Sequence, residues 1–494
     1  MKTTSRLPAL VAAYLFALSG GSIAVAVDAT EIHNAQGEMA GEPTADSILL
    51  QSRLTTIPGP DLDPRGDVPG ARGWARFEWS LSSDFAEFTA GDWLEARPER
   101  DFIVRARVGG LRPGTVHHYR LRFGPEREHT RLGPPRRFRT LPSPDFEGAI
   151  RFCMGSCMNY YRFMEGSSNG GGPVTATAED KRLGYPVFAA LAERRPDFFI
   201  GTGDIVYYDQ PSTRPAIEIV DLRKKWHEQF RFPRLVEFFG ETPAFWSKDD
   251  HDFRYNDADL GGPKGPDART GIDLFREQMP IHEVDDRTSP TWRTRRVHRR
   301  LQLWFTEGRD HRSPNRLADG PEKSLWGKEQ RAWLERTLAE SDATWKVIVT
   351  PTPMVGPDDA SKRDNHVNLQ GFRHEADAFF AALRTLKVEG VMTFCGDRHW
   401  QYHSIHPSGV EEFSCGALND ENSRPGVAPG SPKGTDPDRR IVQPYTYDEP
   451  TGGFLAVEVV PDSTSGAVMR VEFRDDRGRL LHRVEKRADG AESR

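Results

Sequence analysis

The chain has 494 residues, of which 37% are hydrophobic and 28% are charged, a composition typical of a globular protein rather than a disordered or fibrous one. Its length leaves room for two or more domains with at least one large hydrophobic core. The formal net charge of -6 gives no reason to expect a polyanion such as DNA as partner, although metal ions and arginines can still bind phosphate locally.

The first 26 residues have the three-part pattern of a secretory signal peptide. Lys2 and Arg6 precede an apolar run at residues 10–18, and small residues then lead to a cleavage position after Ala26. A membrane anchor is the alternative, but the run is well short of the ~20 apolar residues that a span requires, and no later segment is long enough. The pattern therefore predicts that the mature protein is exported, to the periplasm or out of the cell.

The next part of the chain has two different patterns. Residues 27–43 are polar and show no period, and we interpret them as a leader without structure. Residues 44–142 contain short alternating runs separated by Pro/Gly turns, which predicts a small β-sandwich. Within it, residues 108–119 resemble the strand–turn–strand element of fibronectin type III-like domains. His117 and His118 are adjacent and point to opposite faces of a strand, which disfavours a shared metal.

From residue 149 to 487 the pattern changes to strands that alternate with amphipathic helices, which predicts a layered α/β domain. In such domains, ligands bind beyond the carboxyl ends of the strands. Strands are predicted at residues 149–153, 197–200, 243–246, 345–350 and 388–394, with a final hairpin at 453–460 and 467–473.

Polar clusters follow four of these strands directly, at residues 154–157, 201–209, 248–252 and 395–399. Each cluster should project over the same sheet edge, so Cys, Asp and His side chains converge there. Carboxylates suit hard cations, whereas imidazole, thiolate and phenolate suit iron or zinc, so the mixture indicates two or more metals of unlike character. Two adjacent metals can bind both the attacking and the leaving oxygen of a displacement at phosphorus.

In this order, the clusters resemble the SC…GDxxY…DDH[DE]…GDxH ladder of the PhoD-like alkaline phosphatases, within the calcineurin-like metallophosphoesterases. The resemblance extends from about Pro43 to the C-terminus, because that family also carries a β-sandwich before its catalytic domain. It implies a layered α/β (αββα) metallophosphoesterase domain preceded by a small fibronectin type III-like β-sandwich.

The resemblance also implies a first set of metal ligands. Cys157 would be a thiolate ligand of Fe3+, Tyr207 would add a phenolate, and His399 would complete the protein shell of that ion. Asp204 would bridge the iron to a neighbouring cation, Ca2+ in this family. A different pair of divalent metal ions remains an alternative to Fe3+ and Ca2+.

A second set of roles follows from the same resemblance. Asp250 and Asp397 would bind the second cation, and Asn256 is a further oxygen ligand candidate. His251 would stand beside the leaving group as general acid or charge stabiliser. Arg309 lies in the segment 307–315, which corresponds to an arginine-containing family motif, and is a candidate phosphate clamp because its guanidinium fork matches phosphate geometry.

Simpler interpretations remain for these residues. Cys157 could form a disulfide with Cys153, Asp204 could be a turn residue, and His251 could be an ordinary buried histidine. The basic run at residues 293–300 either attracts an anionic substrate or forms a solvated strand face. Two cysteines are expected to be packed thiols, namely Cys395 and Cys415. Three more residues either line the pocket or lie at the surface, namely Tyr208, Asp209 and His366.

The function predicted from the sequence is therefore a secreted metal-dependent phosphatase that acts on phosphate monoesters, diesters or both. The attack on phosphorus would come from a hydroxide bound to the metal. One alternative is a phosphodiesterase or phospholipase D-like enzyme with the same site, and another is a non-catalytic, metal-stabilised surface-binding protein. The sequence shows no nucleic-acid-binding module and does not reveal the oligomeric state.

Overall fold

The computed structural model describes residues 31–168 and 173–489. The predicted signal peptide and the first residues of the predicted leader lie outside the described residues. Within the described ranges, no helix is both long enough and apolar enough to cross a membrane.

The strands and helices take up most of the described chain. The strands are β1 (Glu38–Gly41), β2 (Ile48–Arg53), β3 (Gly73–Ser80), β4 (Thr89–Ala90), β5 (Leu94–Ala96), β6 (Ile103–Val108), β7 (Val116–Gly124), β8 (Arg131–Leu132), β9 (Arg136–Arg139), β10 (Ile150–Gly155), β11 (Ser167–Ser168), β12 (Pro173–Val174), β13 (Phe198–Thr202), β14 (Ala244–Ser247), β15 (Arg293–His298), β16 (Leu301–Phe305), β17 (Trp345–Thr350), β18 (Val391–Cys395), β19 (Gln401–Ile405), β20 (Glu411–Cys415), β21 (Val442–Thr446), β22 (Gly453–Asp462), β23 (Gly466–Asp475) and β24 (Leu480–Arg487). The helices are α1 (Tyr160–Glu165), α2 (Ala178–Leu183), α3 (Val187–Glu193), α4 (Ile219–Phe230), α5 (Pro233–Glu241), α6 (Ala268–Gln278), α7 (Gly327–Glu340) and α8 (Arg373–Thr385), with 3-10 turns at Pro98–Arg100 and Asp420–Asn422.

Local sequence explains where several helices begin. Asn159, Thr177 and Asp267 cap α1, α2 and α6, because each side chain accepts a hydrogen bond from a backbone amide of the first turn. Pro233 occupies the first turn of α5, where its fixed φ and missing N–H are compatible with a helix.

Two large sheets form the middle layers. The first has nine strands in the order β24-β23-β22-β10-β13-β14-β1-β2-β6, and the second has seven in the order β15-β16-β17-β18-β20-β19-β21. Neighbours β10, β13 and β14 are parallel, as are β16, β17 and β18. A hydrophobic core joins the two sheets, with Phe152, Phe198 and Phe245 from the first and Val347 and Phe394 from the second.

Helices cover the outer faces of both sheets. Phe198 points into the core between the sheets, and its neighbour Phe199 packs with buried residues of α3, α4 and α5 on the other face. On the second sheet, Ile348 packs with buried residues of α7 and α8. The order of layers is therefore helix, sheet, sheet, helix, as the predicted αββα arrangement requires.

The N-terminal part of the described chain, residues 31–142, is continuous with the first large sheet. β1 pairs in parallel with β14 through Gly41 and Ala244, and β2 and β6 extend the sheet beyond β1. A six-stranded sheet of β3, β4, β5, β7, β8 and β9 shares a core with these strands, including Phe77, Tyr119 and Leu121.

The expectation that residues 27–43 lack structure is wrong for their described part. This segment contains β1, and every residue of that strand is buried. A four-residue strand with a charged side chain is too short to show an alternating pattern. Glu38 is accommodated inside because its carboxylate accepts hydrogen bonds from Asn34 and Arg136.

The strands predicted before the polar clusters are confirmed, as β10, β13, β14 and β18. The C-terminal hairpin is confirmed as the antiparallel pair β22 and β23, to which β24 adds a further strand. The basic run at residues 293–300 forms β15 at the edge of the second sheet, where Arg293 and Arg295 pair with Glu42. The structural interpretation of that run is therefore favoured.

Candidate metal centre

Three predicted ligands lie in tight turns directly after strands. Cys157 follows β10, Asp204 follows β13, and Asp397 follows β18, with φ angles of 62°, 53° and 59°. Positive φ is uncommon for residues other than glycine, and such strained positions cluster at functional sites. The strand ends therefore hold these side chains in unusual backbone conformations over one edge of the layers.

Two glycines allow these turns to approach one another closely. A Cβ at Gly203 would lie 2.6 Å from the Cβ and N of Asp249. A Cβ at Gly396 would lie 2.6 Å from the Oγ of Ser156 and 2.7 Å from the Oγ1 of Thr202. Neither position has room for a side chain, and Gly203 also has a φ of 94°, which favours glycine.

The structure brings the four predicted iron ligands together. The Sγ of Cys157 lies 3.4 Å from Oδ2 of Asp204, and the phenolic oxygen of Tyr207 lies 3.2 Å from the same Oδ2. The phenolic oxygen is also 3.5 Å from Nε2 of His399. One ligand atom from each of Cys157, Asp204 and His399 lies within 4.8 Å of the other two. Cys157, Asp204 and Tyr207 are buried.

The electrostatics of this group fit a cation. Burial raises the pKa of the Cys157 thiol and of the Tyr207 phenol well above their usual values, and the carboxylate of Asp204 adds to both effects. Burial likewise raises the pKa of Asp204. Burial lowers the pKa of His399, and Arg424 adds to that effect. A metal ion among these groups would stabilise the thiolate, the phenolate, the carboxylate and the neutral imidazole together.

A second group of carboxylates continues from Asp204. Ligand atoms of Asp204, Asp250 and His251 lie within 4.8 Å of one another, and so do those of Asp250, Asp257 and Asp364. Among the described residues, Oδ1 of Asp250 and both carboxylate oxygens of Asp364 are buried without a hydrogen-bond partner. Buried polar atoms are normally paired, so this group fits a hard cation bound through oxygen.

Asp257 and Asp364 were not predicted from the sequence. Neither follows a strand directly, and each lies in a long irregular segment where a single Asp resembles a turn residue. The one local signal for Asp257 is its φ of 58°, which is visible only in the folded chain.

Two other predicted ligands are placed differently. The carboxylate of Asp397 accepts a hydrogen bond from Arg398, and Asp397 belongs to none of the groups of potential metal ligands found in the described ranges. Asn256 is exposed, and its backbone N–H donates to Oδ2 of Asp209 at 3.0 Å. The structure therefore does not group Asp397 with Asp250.

His251 is held by a carboxylate on one side and an aromatic ring on the other. Its Nδ1 lies 2.7 Å from Oδ1 of Asp209, and its ring stacks on Tyr207 with 4.1 Å between the ring centroids. Burial lowers the pKa of His251, but the carboxylates of Asp250, Asp204 and Asp209 outweigh burial and raise the pKa to about 10. The three carboxylates therefore stabilise the protonated form of the imidazole.

Arg309 does not face a substrate, which corrects the prediction that it clamps phosphate. Its side chain is 0% exposed, and its Nε and Nη2 donate to Oδ1 of Asp249 while Nη1 donates to the backbone oxygen of Ala258. Its Nη2 also lies 3.9 Å from carboxylate oxygens of Asp250 and Asp364. Arg309 therefore stabilises the buried carboxylates of Asp249, Asp250 and Asp364 through its positive charge.

The alternatives for the cysteines are also decided. All four cysteines are free and buried, so the Cys153–Cys157 disulfide is absent. Sγ of Cys415 lies 3.4 Å from the backbone oxygen of Cys395, which confirms that these two are packed thiols.

Of the three residues that were predicted to lie either in the pocket or at the surface, two lie in the core and one lies in the site. The hydroxyl of Tyr208 accepts from Trp226, and His366 is fully buried against Glu375, so both are structural. Asp209 instead belongs to the site through His251.

Two mixed sheets lie between helices, and side chains that could hold metal ions lie on the loops after their strands, an arrangement typical of the metallophosphoesterase class of fold. A solved structure described as PhoD has a TM-score of 0.69 and 19% identity, covering 94% of this chain and 91% of the other. The purple acid phosphatase PPD1 from seeds of yellow lupin (Lupinus luteus) has a TM-score of 0.57 and 11% identity, covering 92% and 74%. At these identities the likeness establishes the fold.

Residues 152–446 match the family of PhoD-like phosphatases, and residues 22–142 match the N-terminal domain of PhoD-like phosphatases. The chain therefore belongs to the PhoD-like phosphatase family. Alkaline phosphatase D of Bacillus subtilis (strain 168) is 24% identical over 381 residues, which are 67% of this chain. The chain spans 59% of the length of that curated relative.

Proposed function

We propose that this protein is an exported, metal-dependent phosphatase that hydrolyses phosphate monoesters, diesters or both. The observation that carries the proposal is the convergence of Cys157, Asp204, Tyr207 and His399 beside the carboxylates around Asp250. Membership of a family of phosphatases supports the same reaction.

The first group of side chains suits Fe3+. Cys157 and Tyr207 would supply the thiolate and the phenolate, His399 a neutral imidazole, and Asp204 a carboxylate oxygen. The buried carboxylate of Asp204 also adjoins Asp250, so it is suited to join the two metal sites.

The second group suits a hard cation such as Ca2+, which prefers several oxygen ligands. Asp250, Asp257 and Asp364 provide three carboxylates within reach of one ion. Asn256 and Asp397 would be additional ligands, and Asp397 would first have to leave its hydrogen bond with Arg398. When bound, the two ions would neutralise charge on the phosphoryl oxygens and activate the attacking water.

The protein residues then handle the leaving group. As the ester P–O bond breaks, the leaving oxygen takes the proton from Nε2 of His251. Asp209 keeps Nδ1 of that ring engaged at 2.7 Å, which fixes the orientation of the imidazole and stabilises its charged form. The stacking of Tyr207 on His251 holds the ring against the metal site.

The N-terminal domain and the export of the protein are part of the same proposal. We infer a fibronectin type III-like β-sandwich over residues 44–142, built onto the first sheet through β1. N-terminal sequencing of the exported protein tests the export prediction, since cleavage after Ala26 leaves residue 27 as the first residue. A mature protein that retained residues 1–26 would contradict it.

The function itself is tested by turnover of p-nitrophenyl phosphate and bis(p-nitrophenyl) phosphate by the purified protein. We expect hydrolysis that a chelator abolishes and that iron and calcium together restore. Activity on the diester alone would identify the phosphodiesterase alternative. Bound metal without turnover of either substrate would favour the surface-binding alternative.

A further inference from the structure

Two arginines lie beside the metal centre and are not paired with an acid. Within residues 31–168 and 173–489, neither the side chain of Arg162 nor that of Arg424 forms an ion pair or a hydrogen bond with another side chain. Most arginines near the site are paired, since Arg309 binds Asp249, and Arg398 binds Asp358. Uncompensated guanidinium groups at an active site call for an anionic ligand.

The position of Arg424 is determined by contacts with the metal centre. Its backbone N–H donates to the backbone oxygen of His399 at 3.0 Å. The hydroxyl oxygen of Tyr447 lies 2.9 Å from the backbone oxygen of His399 and 2.6 Å from that of Arg424, and its proton is shared between them. The Arg424 guanidinium lies 5.2 Å from the ring centre of Trp400, which orients it without neutralising it. Arg424 itself is exposed, so a ligand can reach it.

The position of Arg162 is determined by a second set of contacts. It lies in α1, which begins three residues after Cys157, and its backbone N–H donates to the capping side chain of Asn159. The backbone N–H of Asn159 in turn donates to Asn419, at the start of the turn that ends near Arg424. The two arginine-bearing segments therefore meet beside the metal centre.

A third residue links these segments to the predicted iron ligands. Nδ2 of Asn422 donates to the backbone oxygen of Cys157 at 3.1 Å and to the phenolic oxygen of Tyr207 at 3.0 Å. Arg424 is two residues further along the chain.

We propose that Arg162 and Arg424 form an anion clamp that binds the phosphoryl group of the substrate and the phosphate product at the open side of the metal centre. This inference rests on the proposed function and deepens it. A guanidinium offers two parallel N–H donors that match two phosphate oxygens.

The clamp also discriminates between substrate charges. A phosphate monoester and inorganic phosphate carry up to two negative charges on the group that binds, and a diester carries one. Two cationic groups therefore contribute more to binding of the monoester than of the diester. Loss of the clamp should weaken binding of both substrates, with the larger effect on the monoester.

The test uses Arg162→Gln, Arg424→Gln and the double variant of the full-length holoenzyme. Arg384→Gln is the matched control, because Arg384 is exposed at the end of α8, which leads into β18 at the sheet edge opposite the metal centre. The measurements are the inhibition constant of inorganic phosphate, its binding by calorimetry, KM and kcat for a monoester and a diester, and metal content.

We expect each single variant to raise the inhibition and dissociation constants of phosphate about tenfold, since a charge-assisted hydrogen bond is lost. We expect the monoester KM to rise more than the diester KM, with metal content equal to that of the parent. Phosphate constants within twofold of those of Arg384→Gln, in a parent that binds metal and hydrolyses esters, would overturn the clamp. A parent that neither binds metal nor hydrolyses any ester would instead overturn the proposed function.

Discussion

The hydrogen bond between Asp209 and His251 should control the proton that the leaving group receives. Oδ1 of Asp209 lies 2.7 Å from Nδ1 of His251, and Oδ2 accepts from the backbone of Asn256 at 3.0 Å. Asp209→Asn preserves the size of the side chain and removes its charge. An amide can also donate to the imidazole and so favour the wrong tautomer, as an Asp→Asn change does in a Ser–His–Asp triad.

The size of the effect follows from the charges around the imidazole. Burial lowers the pKa of His251, yet Asp250, Asp204 and Asp209 together raise it from 6.5 to about 10, a net effect of roughly 5 kcal/mol. Asp250 and Asp204 are proposed metal ligands, so Asp209 is the carboxylate left to stabilise the imidazolium in the loaded enzyme. A hydrogen bond to a charged group contributes about 1.5–3 kcal/mol, or about 1–2 pKa units.

The sign of the pH effect is set by the raised pKa. His251 keeps its proton until the pH exceeds its pKa in the folded protein, so Asp209→Asn should lose the proton at a lower pH. We expect the alkaline limb of kcat to move down by about 1–2 pH units, and kcat for an alkyl phosphate to fall about 10- to 100-fold. p-Nitrophenyl phosphate should lose less, because nitrophenolate leaves without a proton.

The assay is therefore a pH–rate profile with both substrates, with metal content measured in parallel. Asp377→Asn is the control, since Asp377 is exposed on α8. An unmoved alkaline limb, or an equal loss for both substrates, would refute the assignment of His251 as the acid and of Asp209 as its positioning residue.

Three further predictions concern buried charges. Arg309→Gln should lower the free energy of unfolding by about 3–5 kcal/mol, because Asp249 is left buried without its cation. Denaturant titration measures this change. An unchanged free energy of unfolding together with a raised KM would restore the phosphate-clamp interpretation. Asp364→Asn should reduce calcium content and leave iron in place by elemental analysis, and equal calcium in variant and parent would remove Asp364 from the metal site. Asp101→Asn should also destabilise the protein, since Asp101 is buried and pairs with Arg53 at 3.0 Å. Burial raises the pKa of Asp101, but Arg53 and His227 outweigh burial and hold the pKa below its usual value. This stabilisation is therefore present above about pH 4 and is lost as the pH falls. A variant with the same acid-unfolding curve as the parent would contradict it.

The sequence was sufficient to predict that the side chains of the first group lie together, because position along the chain corresponds there to position in space. Cys157 and Asp204 each follow an apolar strand within a few residues, and parallel neighbouring strands bring their ends to one edge. The same logic holds for His251 after β14 and His399 after β18. The local sequence pattern was sufficient because strand pairing in the sheet brings the ends of these strands, and the side chains that follow them, to one place.

The features that the sequence did not predict depend on partners that are distant along the chain. Arg309 is neutralised by Asp249, 60 residues earlier, and no local pattern reveals such a partner. Asp364 reaches Asp250 through an irregular loop, which carries no period from which a direction could be predicted. β1 forms because β14 offers it an edge, so its strand conformation is a tertiary effect rather than a local propensity.

The most direct test of the central claim is metal content by elemental analysis of the purified mature protein, measured beside Cys157→Ala and Cys153→Ala. Cys153 is a matched control, because it is also a free, buried thiol but lies on the strand before the site. The proposed centre predicts iron and calcium in the parent and in Cys153→Ala, with iron lost from Cys157→Ala. Zinc or manganese that Cys157→Ala retains in full, or no metal in the parent, would contradict it.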